Sequence, residues 1–216
     1  MIRIVGAVYD RPRSRKQGLS AVTDRRCEKA ASTPFLCRHR FRRLKSGEMP
    51  VQATNMTFGV IKIISGGQTG ADIGALIAAQ ELGLETGGFA PKGWLTENGP
   101  QEAVLRSFGL IECDEHGYPP RTRRNVIHSD GTILVGKHQI GGSRLTYELA
   151  TQLKKPLFLL ACANPPGTKP DAARVEEFRS WLRQYQINIL NVAGNRESEI
   201  PGIAEFTRAF LLNALG

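Results

Sequence analysis

The sequence predicts an α/β fold, a Rossmann-like, doubly wound and mainly parallel sheet of about five strands with helices on both faces. From residue 60 onward, short apolar runs alternate with segments that carry apolar side chains at helical spacing. The short runs are apolar on both faces, which is typical of parallel strands that helices cover on each side. Because such crossovers are right-handed, the alternation indicates a doubly wound sheet.

The first half of this region is predicted to begin with a strand and a helix. Residues 60–64 form a strand because they are β-branched and apolar apart from Lys62. Residues 71–82 form a helix because apolar side chains recur at helical spacing, and Gly83 is a typical helix stop. A short extended segment follows at residues 86–90.

Two further helices follow loops that are rich in glycine and proline. Residues 101–108 are predicted to form a short helix that Gly109 ends, and residues 121–130 a helix after the break at Pro119 and Pro120. The second half is predicted to hold strands at 132–135, 156–161 and 187–192, and helices at 144–153, 172–185 and 203–215.

The positive charge is concentrated in the first quarter of the chain. Residues 1–55 hold 13 Lys and Arg against 4 Asp and Glu, whereas residues 56–216 hold 16 of each sign. The first segment has no sustained strand or helix period, so a disordered extension is predicted there, followed by a ligand-binding domain at 56–216. The extension could serve in targeting or bind nucleic acid, or the natural chain could start at Met56. The domain is electrically balanced, so nucleic acid is not its expected partner.

Neither a metal site made by the protein nor a membrane segment is predicted. Cys27, Cys37, Cys113 and Cys162 form no C-x-x-C motif, and the four histidines do not fall at zinc-ligand spacing. No apolar run comes near the ~18 residues that a membrane span needs. Reduced thiols in a cytoplasmic protein are the expectation.

The stretch SGGQTGAD, residues 65–72, is the strongest candidate for a ligand site. Glycines let a ligand approach the backbone, and the free N–H groups of a helix start favour an anion. The stretch matches neither the dinucleotide fingerprint nor the ATPase loop, so the alternative that the glycines serve only a tight turn stays open. The candidate residues are Gly66, Gly67, Gln68, Thr69, Gly70 and Asp72.

The loops after the other strands lie on the same edge of a parallel sheet and supply further candidates. Arg121 and Asn125 are four residues apart and share a helix face. A second glycine-rich turn, GGSRLT, stands at the start of another predicted helix, so it is expected to favour an anion in the same way as the first. The candidates in these regions are Lys92, Arg121, Asn125, Ser129, Gly142, Ser143 and Thr146.

No catalytic residue is assigned from the sequence. Ser143 lacks the G-x-S-x-G elbow, and no histidine is placed as its base. A paired-carboxylate site among Asp72, Glu97, Asp130 and Glu148 stays open, because spacing does not reveal adjacency in space.

Five ordered motifs make residues 60–160 similar to the molybdenum carrier family. They are ISGGQTGADIGAL, APKGW followed by Glu97 and Gly99, RTRRNV, SDGT and GGSRLT. This family belongs to the Rossmann-like superfamily that includes DprA/Smf and the "lonely guy" (LOG) phosphoribohydrolases. The resemblance implies an oligomeric Rossmann-like domain that binds a small anionic ligand at its glycine turns. That ligand would be the molybdenum cofactor (molybdopterin) or a related phosphorylated molecule, with molybdoenzymes as further partners.

The resemblance to the phosphoribohydrolase branch is less complete. Its P-G-G-x-G-T-x-x-E motif corresponds to IGGSRLTYE, which keeps Gly141, Gly142 and Glu148 but has Arg144 and Leu145 in place of Gly and Thr. A carrier protein without catalysis is therefore the prediction. A nucleotide-processing enzyme with N-glycosidic hydrolase activity is the alternative.

Overall fold

The computed structural model describes residues 57–139, 141–162 and 170–216. The predicted extension at residues 1–55 and the alternative start at Met56 lie outside these residues. In the described part, no helix is long and apolar enough to cross a membrane.

A six-stranded parallel sheet forms the centre of the fold, with the strand order β5-β2-β1-β8-β6-β7. A separate antiparallel hairpin, β3–β4, follows β2. The strands are β1 (Lys62–Ser65), β2 (Glu85–Ala90), β3 (Leu95–Thr96), β4 (Gly99–Pro100), β5 (Leu110–Glu112), β6 (Gly131–Val135), β7 (Leu157–Leu160) and β8 (Ile189–Gly194).

Helices cover both faces of the sheet. They are α1 (Ala71–Glu81), α2 (Glu102–Ser107), α3 (Tyr118–Ile127), α4 (Gly141–Gln152), α5 (Ala172–Tyr185) and α6 (Ile203–Leu215). Strand β7 shows the two sides: Phe158 and Leu160 pack into the core under α1, α5 and α6, whereas Leu157 packs against α3 and α4. This alternation is the two-residue period of a strand that is buried on both faces. The predicted fold class is thereby confirmed.

Helix α6 lies unusually close to α1. A Cβ added at Gly74 of α1 would stand 2.1 Å from the carbonyl oxygen of Ala204 in α6, so only glycine permits this approach. Gly83, in the left-handed region at φ 70°, follows α1 as its predicted stop.

The sequence missed three short strands and misplaced two helices. β3, β4 and β5 span two or three residues each. Strand β5 gives the main sheet six strands where about five were expected, and β3 and β4 form the separate hairpin. Helix α3 spans Tyr118–Ile127 where 121–130 was predicted, and α4 begins at Gly141 where 144 was predicted. Helix α3 includes Pro119 and Pro120 in its first turn. A proline is tolerated there because its missing N–H would have had no helical partner.

The strand order is that of a permuted chain. β8 is the last strand along the chain, yet it lies between β1 and β6. If β8 is counted first, followed by β1, β2, β5, β6 and β7, the order across the sheet becomes 4-3-2-1-5-6. This is a doubly wound order whose direction reverses between the first and fifth strands. The switch point, where such sheets bind ligands, therefore lies between β8 and β6.

Candidate ligand-binding site

A cleft of about 380 Å³ opens beyond the carboxyl end of β8, and we call it the switch-point cleft. Its walls come from the end of β8 and the loop after it, the first turns of α3 and α4, and the turn between β1 and α1. The lining residues are Gln68, Asp72, Tyr118, Pro119, Arg121, Thr122, Gly141, Gly142, Ser143, Leu145, Thr146, Ala193, Gly194, Arg196 and Glu199. Of the residues predicted in the first glycine-rich turn, only Gln68 and Asp72 line this cleft, and Gly66, Gly67, Thr69 and Gly70 do not. The second turn contributes Gly142, Ser143 and Thr146.

Asn195 holds the loops around this switch point together. Its side-chain Oδ1 accepts from the N–H of Lys137 (2.6 Å), and its Nδ2 donates to Glu199 Oε2 (2.7 Å). Its backbone carbonyl accepts from the N–H of Ala71 at the start of α1 (3.2 Å). The loops after β6 and β8 are thus fixed to each other and to α1.

Hydrogen bonds within the protein occupy several backbone N–H groups of the turn between β1 and α1. The N–H of Gln68 donates to Asp72 Oδ2 (3.1 Å), and the N–H of Thr69 donates to Gln68 Oε1 (3.1 Å). Because the N–H of Ala71 is also bonded, these amides have acceptors within the protein. The sequence predicted that this turn binds a phosphate. In the structure, its side chains line the cleft, whereas the amides of Gln68, Thr69 and Ala71 are not available to a ligand.

The glycines of this turn make room for protein groups. A Cβ at Gly66 would lie 1.4 Å from Nη1 of Arg121, and one at Gly70 would lie 2.5 Å from the carbonyl oxygen of Asn195. Gly67, at φ 69°, would meet Leu105 at 2.6 Å. The close approach that glycine permits is used here by the chain's own side chains and backbone.

Asp72 and Arg121 form a buried ion pair beneath the cleft. Nη1 of Arg121 donates to Oδ2 of Asp72 at 3.2 Å, and the two side chains are only 13% and 3% exposed. Burial raises the pKa of Asp72 above its ordinary value, although the charge of Arg121 and the N–H of Gln68 oppose that shift. Arg121 therefore favours the ionised form of this carboxylate.

The first turn of α4 lines the switch-point cleft. Helix α6 is capped by Glu197, which accepts from the N–H groups of Gly202 (2.5 Å) and Ala204 (3.1 Å). In α4, Gly142 and Ser143 line the cleft, and the N–H groups of a first turn have no helical acceptor. The side chain of Ser143 is buried against the cleft, and Thr146 donates to the carbonyl of Gly142 (3.1 Å). This geometry favours an anion at α4.

Two arginines flank Tyr118 at the cleft. The guanidinium carbon of Arg121 lies 5.9 Å from the centre of the Tyr118 ring, and that of Arg196 lies 5.2 Å from it. Arg196 makes no ion pair with any residue that the structure describes, whereas Arg121 is paired with Asp72. Among the described residues that line the cleft, Arg196 is thus the cation available to a ligand.

Several residues predicted for the site serve elsewhere. Asn125 holds α3 on β2, because its side chain bonds the N–H (2.9 Å) and the carbonyl (3.2 Å) of Phe89. Ser129 precedes β6 and so lies at the opposite edge of the sheet, where it donates to Val126. Lys92 is exposed and does not line the cleft. The structure does not bring Asn125, Ser129 and Lys92 to the cleft.

The four carboxylates considered for a paired site are also separated. Asp130 lies at the opposite edge and accepts from the N–H groups of Asn188 (3.0 Å) and Ile189 (2.7 Å). Glu148 pairs with Arg144 on the surface of α4 (2.7 Å). Glu97 lines a different cleft from Asp72.

The residues that the sequence analysis missed lie mainly in the loop after β8. Arg196 and Glu199 line the switch-point cleft, and Tyr118 joins them from α3. The stretch AGNRESE follows a predicted strand and so belongs to the correct edge of the sheet. This loop reaches the cleft because β8 lies between β1 and β6, and the order of strands in the sheet cannot be read from the sequence.

Comparison with known proteins agrees with this permuted topology. The model of the circularly permutated YpsA SLOG family matches residues 63–215. The chain is also similar to the 1.45 Å crystal structure of a protein named "Putative molybdenum carrier protein" from Syntrophus aciditrophicus SB. The two are 35% identical with a TM-score of 0.64, over 73% of this chain and 95% of that one. No curated protein matches the chain.

Proposed function

The chain belongs to the circularly permutated YpsA SLOG family, and from that premise we propose that it is a carrier protein for a phosphorylated ligand. The ligand we propose is the molybdenum cofactor or a related molecule, since the similar crystal structure carries the name of a molybdenum carrier. The family resemblance predicted from the five motifs is confirmed. The ligand, a homo-oligomeric state and transfer to molybdoenzymes are parts of the proposal.

One observation carries the proposal of an anionic ligand. Among the described residues, the buried side-chain polar atoms without a hydrogen-bond partner are Nε2 of Gln68 and Nε of Arg121. Both are donors, and both residues line the switch-point cleft. A buried donor without an acceptor costs about 1–3 kcal/mol, so oxygen atoms of a bound ligand are the natural complement.

The remaining groups of the cleft fit a phosphate. The first turn of α4 offers backbone N–H groups, Ser143 offers a hydroxyl, and Arg196 offers an unpaired guanidinium. Charge-assisted hydrogen bonds of this kind are the ones that proteins use for phosphate. The volume of about 380 Å³ also falls within the usual range for small-molecule sites.

Binding without catalysis is the form of the proposal that this geometry favours. Hydrolysis of an N-glycosidic bond would need a carboxylate near the ligand, and the alternative enzyme was expected to use Glu148 or Asp130. Both lie outside the cleft, where they bond to Arg144 and to the backbone beside β8. The carboxylates that do line the cleft are engaged by the protein, Asp72 by Arg121 and Glu199 by the side chain of Asn195.

The proposal is tested by the ligand that the full chain retains on purification from cells supplied with molybdate. Native mass spectrometry and elemental analysis are expected to find a phosphorylated small molecule and molybdenum. Arg196→Met should lower the retained amount at least about tenfold, the effect of losing ~1.4 kcal/mol of binding. Arg123→Met is the matched control, because Arg123 is exposed on α3 and does not line the cleft.

Ser143→Asp supplies a second test at the start of α4. An acidic residue in a first turn suits the helix dipole, so the helix should be retained while the new charge repels an anion. Equal ligand content in Ser143→Asp, Arg196→Met and the unchanged protein would refute binding in this cleft.

A further inference from the structure

A second cleft, of about 520 Å³, lies beside the first, and we call it the hairpin cleft. It is bounded by the turn between β1 and α1, the β3–β4 hairpin, α2 and the loop after β8. The two clefts share the turn between β1 and α1 and the loop after β8, but no lining residue, because neighbouring side chains line different clefts. Gln68 lines the switch-point cleft, for example, and Thr69 the hairpin cleft.

One side of the hairpin cleft is apolar. Ile73 of α1, Val104 and Leu105 of α2, and Ala204 of α6 form this side. Val104 is 45% exposed although it is a large aliphatic residue. An apolar wall of this kind favours a flat ring, because burying its carbon atoms releases water from both surfaces.

The other side of the hairpin cleft is acidic. Glu97 and Glu197 line it, and no Lys or Arg does so among the described residues. The carboxylate of Glu197 is already bonded to two N–H groups of α6. Glu97 is therefore the carboxylate whose remaining acceptor capacity faces a ligand.

Glu97 is held in a fixed position by three segments. Its N–H donates to Gln68 Oε1 (2.8 Å), and its carboxylate accepts from the hydroxyls of Thr69 and Ser198. Partial burial raises the pKa of Glu97, but the hydrogen bonds from Ser198 and Thr69 outweigh it, so the pKa lies below its ordinary value. The carboxylate is consequently ionised at neutral pH.

The carboxylate of Glu97 has room for a further donor. A carboxylate has about four acceptor positions. Here, the hydroxyls of Thr69 and Ser198 occupy two of them. The N–H groups of a ligand can therefore still be accepted by this carboxylate.

We propose that the hairpin cleft binds a flat nitrogen heterocycle with an exocyclic amino group. The ring lies against Val104 and Leu105, and the amino group donates to Glu97. A phosphate is rejected, because two carboxylates line the cleft and, in the part of the chain that the structure describes, no Lys or Arg does. This site goes beyond the proposed carrier function and does not depend on it.

The test uses two nucleosides that differ only in the amino group. Isothermal titration of the full chain is expected to show 2-aminopurine riboside binding at least about tenfold more tightly than purine riboside, since one charge-assisted hydrogen bond is lost in the latter. Equal affinity for the two nucleosides, or no binding of either, would overturn the proposal.

A pair of variants on α2 locates the site. Val104→Lys places a cation where it can occupy the open acceptor of Glu97, and it should weaken binding of 2-aminopurine riboside about tenfold or more. Ala103→Lys adds the same charge at a neighbouring exposed position outside the cleft, and it should change the affinity less than about twofold. Equal effects of the two variants would contradict the assignment to this cleft.

A competition experiment separates this site from the proposed carrier site. Saturating inorganic phosphate should leave the affinity for 2-aminopurine riboside unchanged, because the clefts share no lining residue. Competition would place the heterocycle in the switch-point cleft and refute the hairpin site. Loss of phosphate binding in Arg196→Met, with unchanged nucleoside binding, would support both sites separately.

Discussion

Replacing Arg121 by Met should destabilise the protein strongly at neutral pH and much less in mild acid. Methionine keeps most of the aliphatic stem but removes the charge that lies 3.2 Å from Asp72. At an effective dielectric constant of about 20, that attraction corresponds to about 5 kcal/mol. Relief of the cost of burying Arg121 offsets part of it, so a loss of about 3–5 kcal/mol is expected if Asp72 stays ionised.

Protonation of Asp72 limits how much stability Arg121→Met can lose, and this limit depends on pH. Burial already raises the pKa of Asp72 in the folded state, and removing Arg121 raises it further. A group whose folded pKa lies above its unfolded value costs stability as the pH rises, because the unfolded state then binds fewer protons. Protonating a carboxyl of ordinary pKa costs about 4 kcal/mol at pH 7 but only about 1.5 kcal/mol at pH 5.

Urea unfolding at pH 7 and at pH 5 measures the loss of stability at each pH. The free energy of unfolding of Arg121→Met should fall by about 3–4 kcal/mol at pH 7 and by about 1.5 kcal/mol or less at pH 5. Adding Asp72→Asn should restore much of the loss at pH 7, since Asn can still accept from the N–H of Gln68. An equal loss at the two pH values, or no rescue by Asp72→Asn, would refute this account of the pair.

Two further predictions concern packing and the hairpin. Gly74→Ala should lower the free energy of unfolding measured in urea by about 1–3 kcal/mol, because its Cβ would clash with the carbonyl of Ala204. Gly142→Ala is the control, since nothing lies within 4 Å of a Cβ at that position. An equal loss in the control would disprove the argument. Glu97→Gln should lower stability above about pH 4.3, the ordinary pKa of Glu, because a depressed folded pKa gives stability that is lost as the pH falls through it. The difference between this variant and the unchanged protein should fade in acid, and a constant difference from pH 7 to pH 3, in unfolding followed by circular dichroism, would count against it.

Local sequence patterns were sufficient to predict most of the fold. Apolar spacing located α1, α5 and α6, and the buried β-branched runs located β1 and β6. Strand β5 was missed because Leu110–Glu112 is too short for a period to be visible. The hairpin was missed for the same reason, since each of its strands has two residues.

The site could be predicted only in part, because it depends on contacts between distant segments. Gln68, Asp72, Arg121, Gly142, Ser143 and Thr146 were proposed from the sequence, and all line the switch-point cleft. Ser129 was predicted for the site because it belongs to the motif SDGT. The order of motifs along the chain does not show at which end of β6 a residue lies. Arg196 was missed because its position depends on β8 lying between β1 and β6.

The position of β8 also bears on how the chain folds. Strands β5, β2 and β1 form one half of the sheet, and β6 and β7 form the other, and β8 is the strand that joins them. During synthesis both halves leave the ribosome before the strand that unites them. The loop that carries Arg196 follows that strand, so the ligand site is completed only when the two halves have been joined. The contacts of β8 with β1 span more than 120 residues, as in the hydrogen bond from Ser65 to Val192. They carry a high loop-closure cost, so late assembly of the sheet is the expected order of events.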